Sequence, residues 1–303
     1  MSARSIVRAH EREQRRLRRR AKRLGTSAAI AVGAGVAFAP AAEAATFTVT
    51  STADAAANAC DADCTLRDAI TEANLTAASD SITFAPNVVG EIVLDTGEGG
   101  LPVETAMSIT GPGSGTLAVD GDNGTQLFGV NTSVGGNAYD DVAISGLTLR
   151  DGSSTDGAAI YSEDSDLTLD ALVVRNNDAS DDAAVYGEGG LLSVSNSTFR
   201  GNTAGDGAAI YTDNDNGDGV GDQSRVLITN STFTGNVAEG SGGAIYIDDE
   251  TDTATISGST IAGNAAGFRG GGLDLFGVET GVARVENSTV TGNTAGADGG
   301  GFY

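Results

Sequence analysis

From about residue 140 onward the chain alternates short apolar triplets with polar, glycine-rich turns, and the same arrangement keeps returning. The segments LTLRDG (147–152), LVVRNN (172–177), STFRGN (197–202), STFTGN (231–236), STIAGN (259–264) and STVTGN (288–293) end 25, 25, 34, 28 and 29 positions apart. Each unit holds a second apolar piece, AAIY, AAVY, AAIY, GAIY, GGLD or GGFY. A third piece alternates with period two, as in LTLD (167–170), LSVS (192–195), VLIT (226–229) and ATIS (254–257). Stretches this short do not make helices; their alternation is that of strands with one buried face. Three strands per unit, repeated at this interval, predict a solenoid. The expected fold is all-β: a parallel β-helix in which coils of three strands stack into three sheets around a narrow core.

In such a stack equivalent residues lie one strand spacing apart, about 4.8 Å, so recurring positions become columns. Leu149, Val174, Phe199, Phe233, Ile261 and Val290 are expected to form one inward file, and Ile160, Val185, Ile210, Ile245, Leu273 and Phe302 another. Asn177, Asn202, Asn236, Asn264 and Asn293 fall in the turn, where Asn tolerates left-handed backbone and can bond the residue above. Upstream the pattern continues less regularly through ITFA (82–85), IVLD (92–95), MSITGPGSGTLAVDG (107–121) and VAISGLTLRDG (142–152). About nine coils would then span roughly 43 Å.

Composition suits this reading, with 44 Gly, 4 Pro and no Trp in 303 residues. Charge adds location. Residues 1–44 carry ten of the 17 basic side chains and three of the 41 acidic ones, which leaves seven against 38 and a net charge of −31 beyond them. Such a body repels nucleic acid and anionic membranes and attracts cations. The leader has a basic stretch, a mildly apolar run from Thr26 to Phe38, and small residues at Ala42 and Ala44, the signature of an export signal cut near Ala44. Adjacent arginines before a weak apolar core also permit a twin-arginine route. The apolar run is below the ~20 residues of a membrane-spanning helix, and the remaining chain holds no longer one. Secretion or surface display is the expected location, and it permits a disulfide between Cys60 and Cys64.

The stretch FTVTSTADAAANACDADCTLRDAITEAN (47–74) resembles the CSLREA domain, with Thr65 and Asp68 standing where that motif has Ser and Glu. The segments that follow are similar to bacterial right-handed parallel β-helix proteins related to the polymorphic outer-membrane protein repeat. The resemblance covers nearly all of residues 46–303 and implies an exported or surface-displayed solenoid with no agreed catalytic residues. The chain divides accordingly into an export signal (1–44), a CSLREA-like cap (45–80) and β-helix repeats (81–303). Within the cap, Thr65 and Asp68 form a capping box, and Leu66, Ala69, Ile70 and Ala73 share one face of a short helix suited to covering the end of the stack. The sequence stops at GGGFY halfway through a coil, so either further residues follow or the open end meets another chain.

Candidate sites divide into three groups. The loop NDNGDGVGD (214–222) resembles the calcium loops of thrombospondin type 3 repeats and dockerins; that likeness places ligands at Asn214, Asn216, Asp218 and Asp222, with the Val220 carbonyl. The alternative is a solvated acidic tip. Tyr161, Tyr186, Tyr211, Tyr246 and Tyr303 each follow an inward residue, so alternation turns them outward, either as an exposed platform for sugars or a protein partner or as a ladder supporting its sheet. Arg150, Arg175 and Arg200 share a 25-residue spacing with Asp156, Asp181 and Asp206. They make either Arg–Asp pairs across the turn or a patch that grips an acidic polysaccharide.

His10 and Lys22, the only His and Lys, both lie in the leader, so no Ser-His-Asp triad, lysine base or P-loop lysine survives its removal. Carboxylate-only glycoside hydrolysis remains open. The expected function is therefore an exported, adhesin-like binding and structural module, calcium-stabilised, for an extracellular glycan or surface protein. The competing expectation is a polysaccharide lyase or glycoside hydrolase of the pectin-lyase-like fold.

Overall fold

A computed structural model describes residues 43–303, apart from 56, 133–138, 214–224, 249–252 and 277–281. The leader and the Asn214, Asn216, Asp218, Val220 and Asp222 loop therefore lie outside the described residues. What is described is a parallel β-solenoid whose strands pair only with the coil before and the coil after. The first sheet has nine strands, from Thr46–Val49 to Val282–Glu286; the second has eight, from Gly90–Val93 to Thr289–Thr291. The third has seven, from Leu101–Val103 to Leu273–Asp274. A fourth, of six very short strands from Ser153–Asp156 to Thr294–Ala295, refines the three-sheet expectation. It lies between the second and third sheets in the coils from Ser153 onward, where the glycine-rich turn straightens just enough to pair with its neighbour.

The columns follow the sequence repeat. Val174 pairs with Leu149 and Phe199, Phe199 with Phe233, Phe233 with Ile261, and Ile261 with Val290. The Phe199 and Phe233 rings stack with centroids 4.9 Å apart, both fully buried. The file from Ile160 to Phe302 is likewise in register. These files meet in one continuous apolar core.

From about residue 140 onward, each corner on either side of the second sheet is turned by a single residue with left-handed backbone. Between the first and second sheets it is Gly146, Ala171, Asn196, Asn230, Gly258 and Asn287, with φ between 49° and 63°. Gly and Asn adopt this region most readily, which is why they fill this corner in every one of these coils but that of Ala171. At the next corner it is Asn176, Gly201, Gly235, Gly263 and Gly292 that turn left-handed. The Asn177 to Asn293 column, expected to do so, comes one position later and faces inward, bonding coil to coil. Asn177 Nδ2 donates to Asn202 Oδ1 at 3.0 Å, Asn202 to Asn236 at 2.9 Å, Asn236 to Asn264 at 2.9 Å and Asn264 to Asn293 at 2.9 Å.

The helix α1, Leu66–Ala73, packs on the first strands of the first and third sheets. Its capping box is complete: Asp68 N donates to Thr65 Oγ1 at 3.1 Å, and Thr65 N donates to Asp68 Oδ2 at 2.9 Å. The buried Arg67 clamps it from the side, donating twice to Asp54 at 2.8 Å and to the Gly99 and Gly100 carbonyls. Cys60 and Cys64 are joined in a disulfide that closes the loop leading into α1. The strand Thr46–Val49 pairs with Asp80–Phe84, so the first sheet already begins inside the CSLREA-like segment. No helix among the described residues is long and apolar enough to cross a membrane.

Candidate functional site

The tyrosine column sits at the start of the third-sheet strands. Tyr161, Tyr186, Tyr211 and Tyr246 are in register, with successive ring centroids 5.4, 5.3 and 5.0 Å apart. Alternation does turn them away from the core, but they are not an exposed platform. Tyr186, Tyr211 and Tyr246 are buried, Tyr161 is partly so, and with Ala183 they form a second apolar cluster. The corner from the fourth sheet folds back against them: a Cβ at Gly242 would come within 2.6 Å of Tyr246 Cβ, and one at Gly207 within 3.0 Å of Tyr211 Cβ. Facing away from the core therefore means facing the turn, and the turn covers the rings. Tyr303, which continues the column, is half exposed.

Carboxylates wall this strip on both sides. Two residues after each tyrosine, Glu163, Glu188, Asp213 and Asp248 form an in-register acidic column facing the same way as the rings. Tyr161 Oη donates to Glu188 Oε2 at 2.9 Å and Tyr211 Oη to Asp248 Oδ2 at 3.3 Å, so a phenol bonds the acid of the following coil. The repeated Tyr-x-Glu/Asp in IYSE, VYGE, IYTD and IYID was the sequence signal for this wall. On the other side stand Asp156, Asp182 and Asp206. The expected file of Asp156, Asp181 and Asp206 is thus corrected: the register slips between Ser154 and Asp156, so Asp182 takes the column position. Burial, and then the charges of Asp213, Glu188 and Asp182, push the Tyr186 phenol well above its ordinary value. Among the described residues no three acidic or thiol groups converge in a metal-binding arrangement.

The column changes character at Asp274, which pairs with Tyr246 in register and is fully buried. Arg269 Nε donates to Asp274 Oδ2 at 2.8 Å, and its guanidinium carbon lies 4.2 Å from the Phe276 ring centroid and 4.5 Å from that of Tyr303. Asp274 Oδ1 is buried without a hydrogen-bond partner. Burial raises the Asp274 carboxyl above its usual range, and the Arg269 pair offsets only part of that rise.

The arginine column lies on the outer face of the second sheet. Arg150, Arg175 and Arg200 are in register, but the expected pairing with Asp156, Asp181 and Asp206 across the turn is not made. Arg150 instead reaches along its own sheet and its own turn, pairing with Glu91, Asp120 and Asp151. Arg175 and Arg200 form no ion pair among the described residues, and Arg200 is exposed. The Asp residues lie beyond a corner, on the far side of the coil edge, which side chains on the second sheet do not cross. Beside the arginines runs a flat threonine column of Thr198, Thr232, Thr260 and Thr289.

Residues 129–302 match the family model described as right handed beta helix region. No curated protein and no solved structure matches the chain.

Proposed function

Starting from the chain's membership of the right-handed β-helix region family, we propose that it is an exported or cell-surface β-helix working as a structural and binding module, with the outer face of the second sheet as its binding surface. The observation that carries this reading is the pair Arg175 and Arg200. Two arginines paired in register on adjacent strands, whose backbones lie one strand spacing of about 4.8 Å apart, repel each other and gain from an anion bound between them. They do so in a chain whose net charge is −24, where carboxylates to pair with are abundant. The face is flat and repeats from coil to coil, which suits an extended anionic glycan better than a ligand needing an enclosing pocket. The leader and the Cys60–Cys64 disulfide support an oxidising, extracytoplasmic location. The likeness of Asn214, Asn216, Asp218, Val220 and Asp222 to calcium loops supports a calcium-stabilised module.

A screen on pectate, alginate and neutral glycans, with and without chelator, tests the proposal. Binding of an acidic glycan that weakens at least tenfold in Arg175→Gln/Arg200→Gln, and weakens with salt, is the expected result. Turnover of a glycan, abolished by Arg175→Ala, would replace this reading with a polysaccharide lyase or hydrolase. For calcium, titration calorimetry should show binding heat in the wild type that disappears in Asp218→Ala; a silent wild type refutes the calcium site.

A further inference from the structure

The tyrosine column has features that a mere aromatic filler does not need. Four phenols follow one another with centroids 5.0 to 5.4 Å apart. The run is closed at both ends, because the position before Tyr161 is Gly129 and the position after Tyr246 is Asp274. Two of the phenols donate directly to carboxylates, Tyr161 to Glu188 and Tyr211 to Asp248, and a third, Tyr186, lies in the field of Asp213, Glu188 and Asp182. The outermost ring is partly exposed while the next three are buried.

A phenol that loses one electron becomes a strong acid, and it gives up its proton wherever a base is already hydrogen-bonded to it. Surrounding carboxylates also favour the electron-poor ring electrostatically, the more so in a strip from which water is excluded. We propose that Tyr161, Tyr186 and Tyr211 form a relay that takes up one oxidising equivalent at Tyr161 and carries it to the two buried rings that follow, with carboxylates holding the protons.

The steps balance. A one-electron oxidant removes an electron from Tyr161, whose proton passes to Glu188, leaving a neutral tyrosyl radical and the reduced oxidant. Tyr161 then regains an electron from Tyr186 and its proton from Glu188, while the Tyr186 proton moves into the Asp213, Glu188 and Asp182 group. Transfer from Tyr211 to Tyr186 follows in the same way, with the Tyr211 proton passing to Asp248. The column would act as an internal sink for radicals arriving from outside, sparing the backbone of the coils it lines.

The test uses the full chain in a Tyr139→Phe/Tyr303→Phe background, which leaves the four column tyrosines as the only ones of the chain's six. Photogenerated tris(bipyridine)ruthenium(III), a cationic one-electron oxidant drawn to this acidic surface, starts the reaction, and the tyrosyl radical is followed by its absorbance as ferrocyanide is added. The intact column should give a radical that ferrocyanide reduces several-fold more slowly than in Tyr186→Phe, where it is stranded on Tyr161. Tyr161→Phe should lower the radical yield, because the oxidant then meets no accessible phenol. Both substitutions remove only a hydroxyl group, and circular dichroism checks that the fold is kept. Tyr211→Phe supplies a second interruption, with a radical reduced at an intermediate rate. Equal ferrocyanide sensitivity in the intact column and the interrupted variants, or an undiminished yield in Tyr161→Phe, overturns the relay.

Discussion

The triplet Asn-Ser-Thr, at 196–198, 230–232 and 287–289, shows what one residue contributes to this molecule. Asn196, Asn230 and Asn287 turn the corner in left-handed backbone. The serines face inward: Leu172 N donates to Ser197 Oγ at 3.0 Å, Ser197 N to Ser231 Oγ at 3.2 Å, and Ser231 N to Ser259 Oγ at 3.1 Å. The threonines point outward from the second sheet. A motif that elsewhere marks glycosylation is here spent on one corner, one internal bond and one surface position. The asparagine column is stricter still, because each side chain from Asn177 to Asn264 both accepts from the coil before and donates to the coil after. Asn202 Oδ1 accepts from both the backbone N and the Nδ2 of Asn177. Replacing Asn202 by Ala leaves those buried donors unpaired, and urea unfolding should show a loss of about 1–3 kcal/mol. Asn202→Asp should cost at least as much, because a carboxylate cannot donate to Val174 O or to Asn236 Oδ1.

At the scale of the element, α1 behaves as a cap whose hold depends on one carboxylate. Burial raises the Asp68 pKa, but the backbone N–H groups of Asn58 and Thr65, the Thr65 hydroxyl and the Arg67 charge together hold it below the usual value of 3.8. A carboxyl whose folded pKa is depressed adds stability above its unfolded value and loses it as pH falls through the folded one. Asp170, held low by Ser195 and Asn196, has the same sign. Unfolding free energy should therefore fall as pH drops below the ordinary carboxylate range, and Asp68→Asn should flatten that slope while weakening the protein near neutrality. Urea titrations across a pH series read both effects. This helix was legible in the sequence because a capping box and an apolar face are local signals. The fourth sheet was not, since its strands are two to five residues long and pair only because the coils above and below already hold them in place.

The molecule as a whole is a stack of like-charged coils. With a net charge of −24 and in-register acidic columns such as Glu163, Glu188, Asp213 and Asp248, repulsion accumulates along the axis. Salt screens it within a Debye length of about 8–10 Å at moderate ionic strength. The melting temperature should rise with sodium chloride between low and physiological concentration, and a melting temperature that falls or stays level would show that ion pairs such as Arg67–Asp54 outweigh the repulsion. Stability should also be roughly the sum of coil and coil-to-coil terms, as in other solenoids.

The sequence by itself determined the coil: its length, the residues that face the core, and which residue stands above which. It could do so because in a solenoid a step along the chain of one repeat is a translation of one strand spacing, so linear periodicity and spatial neighbourhood are the same thing. The tertiary structure alone decided what happens at the corners. Whether Tyr211 sees water depends on how the turn at Gly207 folds back over it, and whether Asp181 or Asp182 joins the acidic column depends on a single slipped residue. That Arg150 pairs with Glu91, Asp120 and Asp151 while Arg175 and Arg200 pair with no acid among the described residues depends on which side of a coil edge each side chain leaves from. Corner geometry is set by several left-handed residues acting together, and its outcome at each position appears only once the coils are stacked.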